Sequence, residues 1–201
     1  DFFSSLCPVF LPPAPPLPEV DLPDKDRYTY DDYQQLPEGA PYELICGELI
    51  MSPAPDLRHQ RVARRFFRAL DGTVTKNDAG EAFFAPFDVR LSEGTVLQPD
   101  LAFISTTRID CLGEHAIEGA PDLVAEILSP ATAHRHLTEK KRLYETHGVR
   151  EYWVIDPDQR TVEVFANTEE GFRQHARVVE EGTAASGVLD AFEIDLSDLF
   201  Q

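Results

Sequence analysis

Apolar and polar residues alternate along this chain in two rhythms. Between residues 57 and 70, Ala63, Phe66 and Leu70 recur with His59 at helical spacing, flanked by Val62 and Phe67, so a helix starting near Leu57 is predicted. A second helical stripe runs through Ala133, Leu137, Lys140 and Tyr144, with Glu139, Arg142 and Glu145 pointing away. The stretch from Ser129 to Thr132 reads as its cap, and Gly148 as the glycine that ends it. A short helix over residues 28–36 is expected from Thr29 as cap, with Asp31 and Asp32 in the first turn.

The other rhythm is that of strands. Two short apolar runs flank Cys46-Gly47 and predict a hairpin, interrupted by Glu43 and Glu48. Residues 81–91 read as one strand, and VLQPDLAFI (96–104) as another; the turn Ser92 to Thr95 makes the two a hairpin. Further strands are predicted in PDLVAEIL, REYWVIDP and TVEVFA, with weaker ones over 172–179 and 188–194. Residues 106–120 read as a surface excursion with room for a short helix. This order predicts an α/β fold, a mixed β-sheet flanked by helices with additional β-hairpins. Residues 1–24, with seven prolines between Pro8 and Pro23, form a proline-rich arm, either a disordered leader or an arm that packs on a neighbouring subunit; residues 25–201 are expected to form one domain.

Composition narrows the function classes. No apolar run approaches the roughly 20 residues that span a bilayer, and the proline-rich N-terminus lacks the basic region of a signal peptide. Cys7, Cys46 and Cys111 share no metal-ligand spacing and suit a reducing compartment, so a cytoplasmic protein is expected. The net charge of −18 opposes a protein that tracks a phosphate backbone. Locally the balance reverses: Arg58, Arg61, Arg65 and Arg68 line one side of the first long helix, either as a solvated face or as a patch for phosphate. A duplex can reach a buried site only if this stripe opens on the same cleft.

Two of the predicted buried strands carry a carboxylate, Asp100 and Glu126. Burying such a group costs several kcal/mol unless it is paired or bound to a cation. Pro-Asp occurs five times and mostly marks turns, but only Pro99-Asp100 opens a buried strand that is followed by Glu126 in another. The inward helix stripe then offers Lys140, with Lys141 as an alternative. Two carboxylates and an ammonium suit phosphodiester hydrolysis, in which a hard divalent cation activates water and a lysine orients it. They also suit a purely structural pair, Glu126 with Lys140. His59 is read as a core-edge histidine, with an accessory role at the site as the second possibility.

The segments YELICGELIMSPAP, His59, DVRL, VLQPDLAFIS, AEILSPAT and EKKRLY…GVREYWVIDP together resemble the bacterial Uma-two family of restriction-endonuclease-like proteins, in the PD-(D/E)xK superfamily. The resemblance covers residues 28–200. It implies a restriction-endonuclease-like fold, Asp100, Glu126 and the Ile127 carbonyl as ligands of Mg²⁺ or Mn²⁺, and Lys140 as the catalytic lysine. The superfamily lysine two positions after the second acid is replaced here by Leu128, the family supplying one from the next helix. Glu43 is implied as an additional ligand. His136, an accessory position, stands where relatives commonly carry Asp, a swap that leaves the metal scheme open and adds weight to a cofactor-free interpretation. The resemblance further implies a homodimer acting on nucleic acid, with DNA the expected substrate. The rival from another class is a catalytically inactive nuclease fold used for binding or regulation, which the charge favours.

Overall fold

A computed structural model of the chain describes residues 22, 25–37, 39–52, 54–129 and 135–201. The rest of the proline-rich arm and residues 130–132 of the expected cap lie outside these residues. In chain order the elements are α1 (Tyr30–Tyr33), β1 (Tyr42–Ile45), β2 (Glu48–Met51), α2 (Leu57–Asn77), β3 (Gly80–Phe84), β4 (Asp88–Ser92), β5 (Thr95–Leu97), β6 (Leu101–Ser105), a 3₁₀ turn (Thr106–Cys111), β7 (Ala116–Glu118), β8 (Leu123–Ile127), α3 (Arg135–His147), β9 (Glu151–Asp156), β10 (Thr161–Thr168), β11 (Gly171–Val179), β12 (Thr183–Ala185), β13 (Glu193–Asp195) and α4 (Leu196–Leu199). None of the described helices is long and apolar enough to cross a membrane.

Local chemistry accounts for most of these boundaries. Thr29 and Asp32 form a reciprocal capping box that starts α1. Cys46 (φ +52°) and Gly47 (φ +88°) both take positive φ, the conformation a two-residue hairpin turn requires, and Ile45 pairs with Glu48 across it. Asp56 accepts from the His59 amide to cap α2. Gly148 (φ +88°) ends α3, with the Val149 N–H returning to the Tyr144 carbonyl.

The expected continuous strands at 81–91 and 96–104 are instead each broken in two. Pro86 and Pro99 have no N–H to give a ladder, so the antiparallel ribbon is interrupted at both. It still pairs as a hairpin on either side of the break: β4 with β5 (Val89 opposite Leu97) and β3 with β6 (Phe84 opposite Leu101). The two halves enter different sheets. β4 and β5 join a five-stranded sheet of order β2-β1-β5-β4-β7, while β3 and β6 join a six-stranded sheet of order β11-β10-β9-β8-β6-β3. The Ala85 N–H donates to the Asp100 carbonyl across the corner.

In the six-stranded sheet β8 and β9 run parallel, joined by the segment that contains α3, while the remaining pairs are antiparallel. One face packs Leu101, Phe103, Leu123, Ala125 and Trp153 against Val62, Phe66 and Leu70 of α2. The other packs Val124, Tyr152 and Val154 against Leu143 and Tyr144 of α3 and against Ile45 and Leu97 of the five-stranded sheet. Covered on both faces, β8 is buried at every position, which is why its sequence is a run and not an alternation. The strand expected over 188–194 reduces to β13, paired with β12; Leu189 and Phe192 turn into the core instead.

Two deeply buried acids are explained without chemistry. Glu151 accepts from Trp153 Nε1, the Ser186 hydroxyl and the Gly187 N–H at 2.6–2.7 Å. Asp122, read from sequence as one more turn aspartate, has no exposed surface; it accepts from the Ser105 N–H at 2.8 Å and from Arg150 at 3.0 Å. Burial pushes the Asp122 pKa up, but these donors outweigh it and hold the pKa below the usual aspartate value. A carboxylate depressed in this way stabilises the fold above its unfolded pKa, near ~3.9, and loses that contribution as pH falls through the folded value. Asp122→Asn should therefore cost about 1–3 kcal/mol in urea unfolding at pH 7, because buried donors lose their acceptor. Arg108 and Arg150 are partly solvent-screened, which favours the lower figure. The gap between wild type and variant should narrow in unfolding curves taken at progressively lower pH.

Candidate active site

The corner of the ribbon delivers Asp100 to the end of β6, beside the strand that carries Glu126. Asp100 Oδ2 accepts from the Ile127 N–H at 2.7 Å and lies 3.1 Å from His59 Nε2 in the first turn of α2. Glu126 faces α3, where Leu137, Lys140 and Tyr144 share the inward stripe. Lys140 Nζ lies 3.0 and 3.3 Å from the two Glu126 oxygens, and the Tyr144 hydroxyl donates to Glu126 Oε1 at 2.8 Å. Glu43 arrives from β1 in the other sheet. Its Oε1 is 2.9 Å from Lys140 Nζ and accepts from the Gln98 N–H at 2.6 Å.

Of the two lysines left open by the sequence, Lys140 is the buried one; the Lys141 ammonium sits over the Phe165 ring, 3.2 Å from its centroid. Glu145, expected to point away, is half-buried and accepts from the Phe172 N–H at 2.7 Å. His136 lies in the first turn of α3, and its side chain is outside the described residues.

Two carboxylates, Glu43 and Glu126, thus share one ammonium, and a third, Asp100, faces His59. Burial raises the Glu126 pKa to about 7; Lys140 pulls it down, while Asp100 and Glu43 push it further up. For Lys140, burial works against the charge, but Glu126 and Glu43 outweigh it and raise the pKa above the ordinary lysine value, so the ammonium stays charged. Burial also opposes protonation of His59, yet Asp100 raises its pKa. With Nε2 facing a carboxylate, His59 Nδ1 is left buried without a hydrogen-bond partner among the described residues, as is the Tyr152 hydroxyl on the Glu126 side of β9. The Tyr152 pKa is raised well above the usual tyrosine value by burial, then by Glu126, Asp100 and Glu43.

These groups open on a cleft of about 820 Å³. Glu43, His59, Asp100, Glu126, Ile127 and Lys140 all line it, so the structure brings together every proposed site residue whose side chain it describes. The arginine stripe does not face it. Arg58 is tied to Asp158 and the Pro157 carbonyl, Arg65 to the Leu199 and Gln201 carbonyls, and neither Arg61 nor Arg68 lines the cleft. Arg64 does line it, on the α2 face shared with Gln60, Ala63 and Phe67. That i, i+3, i+4, i+7 spacing was available in the sequence but was masked by the neighbouring arginines. Tyr144, four residues after Lys140, was legible as an inward residue but not as a partner of Glu126. Nothing in the sequence marked Gln98 or Tyr152.

No three His, Cys, Asp or Glu side chains among the described residues gather tightly enough to hold a metal ion as they stand. The donor set in question is smaller and harder: two carboxylates and a backbone carbonyl, the oxygen set that Mg²⁺ takes when it keeps waters. Asp100 Oδ1 has no hydrogen-bond partner among the described residues, and the cluster carries more negative than positive charge. By donor chemistry and charge the site fits a hard divalent cation.

Comparison with known proteins adds two matches. The family model described as "Uma2: Putative restriction endonuclease" matches residues 30–197. In structure the chain is similar to a protein of Anabaena variabilis described as "a putative nuclease belonging to DUF820", with a TM-score of 0.71 at 24% identity, over 86% of this chain and 97% of that one. At that identity the likeness establishes a shared fold. No curated protein matches the chain.

Lys140→Met removes the ammonium that Glu43 and Glu126 share, and removing one partner of a buried pair costs about 3–5 kcal/mol. Lys141→Met loses only a half-buried cation–π contact and should cost about 1 kcal/mol or less. Urea unfolding of the two variants at pH 7 tests this, and equal losses would show that Lys140 does not hold the cluster.

Proposed function

The chain belongs to the Uma2 family, and from that membership we propose that it is a metal-dependent endonuclease hydrolysing phosphodiester bonds in nucleic acid. The observation that carries this reading is the convergence of Asp100, Glu126, Glu43 and Lys140 on one cleft. Structural carboxylates elsewhere in the chain, Asp122 and Glu151, have their donors supplied by surrounding structure and line no cleft of this kind.

In this mechanism Asp100, Glu126 and the Ile127 carbonyl would hold Mg²⁺ or Mn²⁺. When bound, the cation supplies Lewis-acid chemistry, polarising a phosphoryl oxygen and acidifying water. The protein's own groups do the rest. His59 and the Ile127 N–H fix Asp100 Oδ2 and turn Oδ1 towards the open side. Gln98 holds Glu43, and Glu43 holds Lys140, so the ammonium keeps its place if Glu126 turns away from it. Lys140 then has N–H donors free to orient the attacking water and to offset charge that builds on the phosphoryl oxygens. Water adds to phosphorus as the bond to the leaving oxygen breaks.

A second reading, a nuclease fold kept for binding, draws support from the saturation of Glu126 by Lys140 and Tyr144 and from the absence of the arginine stripe at the cleft. Calorimetry separates the two. The endonuclease reading expects Mg²⁺ or Mn²⁺ to bind the wild type and not Asp100→Ala/Glu126→Ala. It also expects cleavage of DNA or RNA that chelation abolishes and that Lys140→Met, folded at the assay temperature, slows by about 10²–10³-fold. No binding at millimolar metal, with both proteins folded, would leave only the second reading.

A further inference from the structure

Beyond the carboxylate–lysine cluster the cleft is lined largely by apolar residues, among them Phe67 and Phe84. Phe84, the last residue of the edge strand β3, is 60% exposed and lines the cleft. Its Cα partner is Leu101, the residue after Asp100, so its position is fixed relative to the carboxylates. Its ring is tilted at 53° to that of Phe67 of α2, with centroids 4.6 Å apart, and most of the residue stays exposed. Met51, 53% exposed, lines the same opening. One turn before Phe67, Arg64 supplies an exposed cation within the cleft.

A large aromatic ring on an open rim leaves apolar surface in water without a partner, and exposed apolar patches mark binding sites. The partner that suits it must bring a flat π-face and a phosphate together. A duplex brings neither in usable form: its bases are already stacked on each other, and its paired backbones call for a row of cations. Among the described residues, the cations lining this cleft are Arg64, Lys140 and the titratable His59, against a net charge of −18. An unpaired nucleotide needs far less. Its base stacks on the free face of Phe84, its scissile phosphate lies at Asp100 and Lys140, and a flanking phosphate meets Arg64. Base–aromatic stacking of this kind holds single strands without sequence readout.

We propose that the cleft takes unpaired nucleic acid, a single strand or a single-stranded segment, with one base stacked on Phe84 and an adjacent phosphate on Arg64. The proposal rests on the phosphodiester reading of the site and specifies its substrate class.

The test uses the full chain with Mg²⁺ and a phosphorothioate oligonucleotide carrying a fluorescent aminopurine, offered as single strand and as duplex. The single strand should bind at least about tenfold more tightly, with quenched fluorescence. Phe84→Ala should weaken that binding about tenfold and abolish the quench, and Phe84→Trp should restore both. Arg64→Ala should weaken binding and keep the quench. Equal affinity for duplex, no binding of either form, or unchanged binding by Phe84→Ala overturns the proposal. So does a drop in sedimenting mass of Phe84→Ala, which would show that a second copy of the chain covers the ring. Cleavage of the unmodified oligonucleotides keeps the two readings apart. Phe84-dependent binding without cleavage sinks the endonuclease and spares the stacking site, whereas duplex cleavage that ignores Phe84 does the reverse.

Discussion

A single buried ammonium is the constraint on which the site depends. Lys140 reaches from α3 to Glu126 in the six-stranded sheet and to Glu43 in the five-stranded sheet, so three separately formed layers meet at one charge. Each carboxylate alone would be costly to bury, and the lysine alone equally so. Together they tie the layers to one another, with the Tyr144 hydroxyl donating to Glu126 and the Gln98 N–H to Glu43. The arrangement still leaves an excess of negative charge, and Glu126 in particular is held closer to neutrality than an ordinary glutamate.

Two prolines make that meeting possible. Pro86 and Pro99 interrupt one antiparallel ribbon on both its strands, and the ribbon passes from one sheet to the other at the interruption. Asp100 follows Pro99, so it is set at a strand end with an oxygen directed outwards. A carboxylate in the middle of β6 would be sealed between layers, as Asp122 and Glu151 are sealed elsewhere. Asp100 differs from these sealed acids in lying where the backbone leaves its sheet.

The chemistry available at the cleft and the charge of the whole protein pull in different directions. Family membership and the carboxylate–lysine set favour phosphodiester hydrolysis. The acidic surface and an arginine stripe tied to distant carbonyls disfavour a long duplex track. A short, partly apolar pocket that met only one or two phosphates would reconcile them, because the number of phosphates to be neutralised sets the cationic surface required.

Much of this was legible in the sequence for local reasons. Helical stripes, the Cys46-Gly47 turn, the Thr29 cap and the buried runs of β8 and β9 follow from side-chain period, φ preference and burial, and they placed Asp100, Glu126 and the inward Lys140 on their elements. The resemblance to a known family pointed to the same residues. What the sequence left open was decided by tertiary contact. Lys140 prevailed over Lys141 because helix rotation against β8 is fixed by packing, not by composition. The strand at 81–91 broke because two prolines 13 positions apart lie across from each other only once the ribbon has paired. Arg64 lines the cleft and its neighbours do not, since a basic stripe has no direction until a sheet lies beneath the helix. Glu43 met Lys140, and Phe84 met Phe67, across separations that no local rule reaches, because those distances belong to the arrangement of whole sheets and helices.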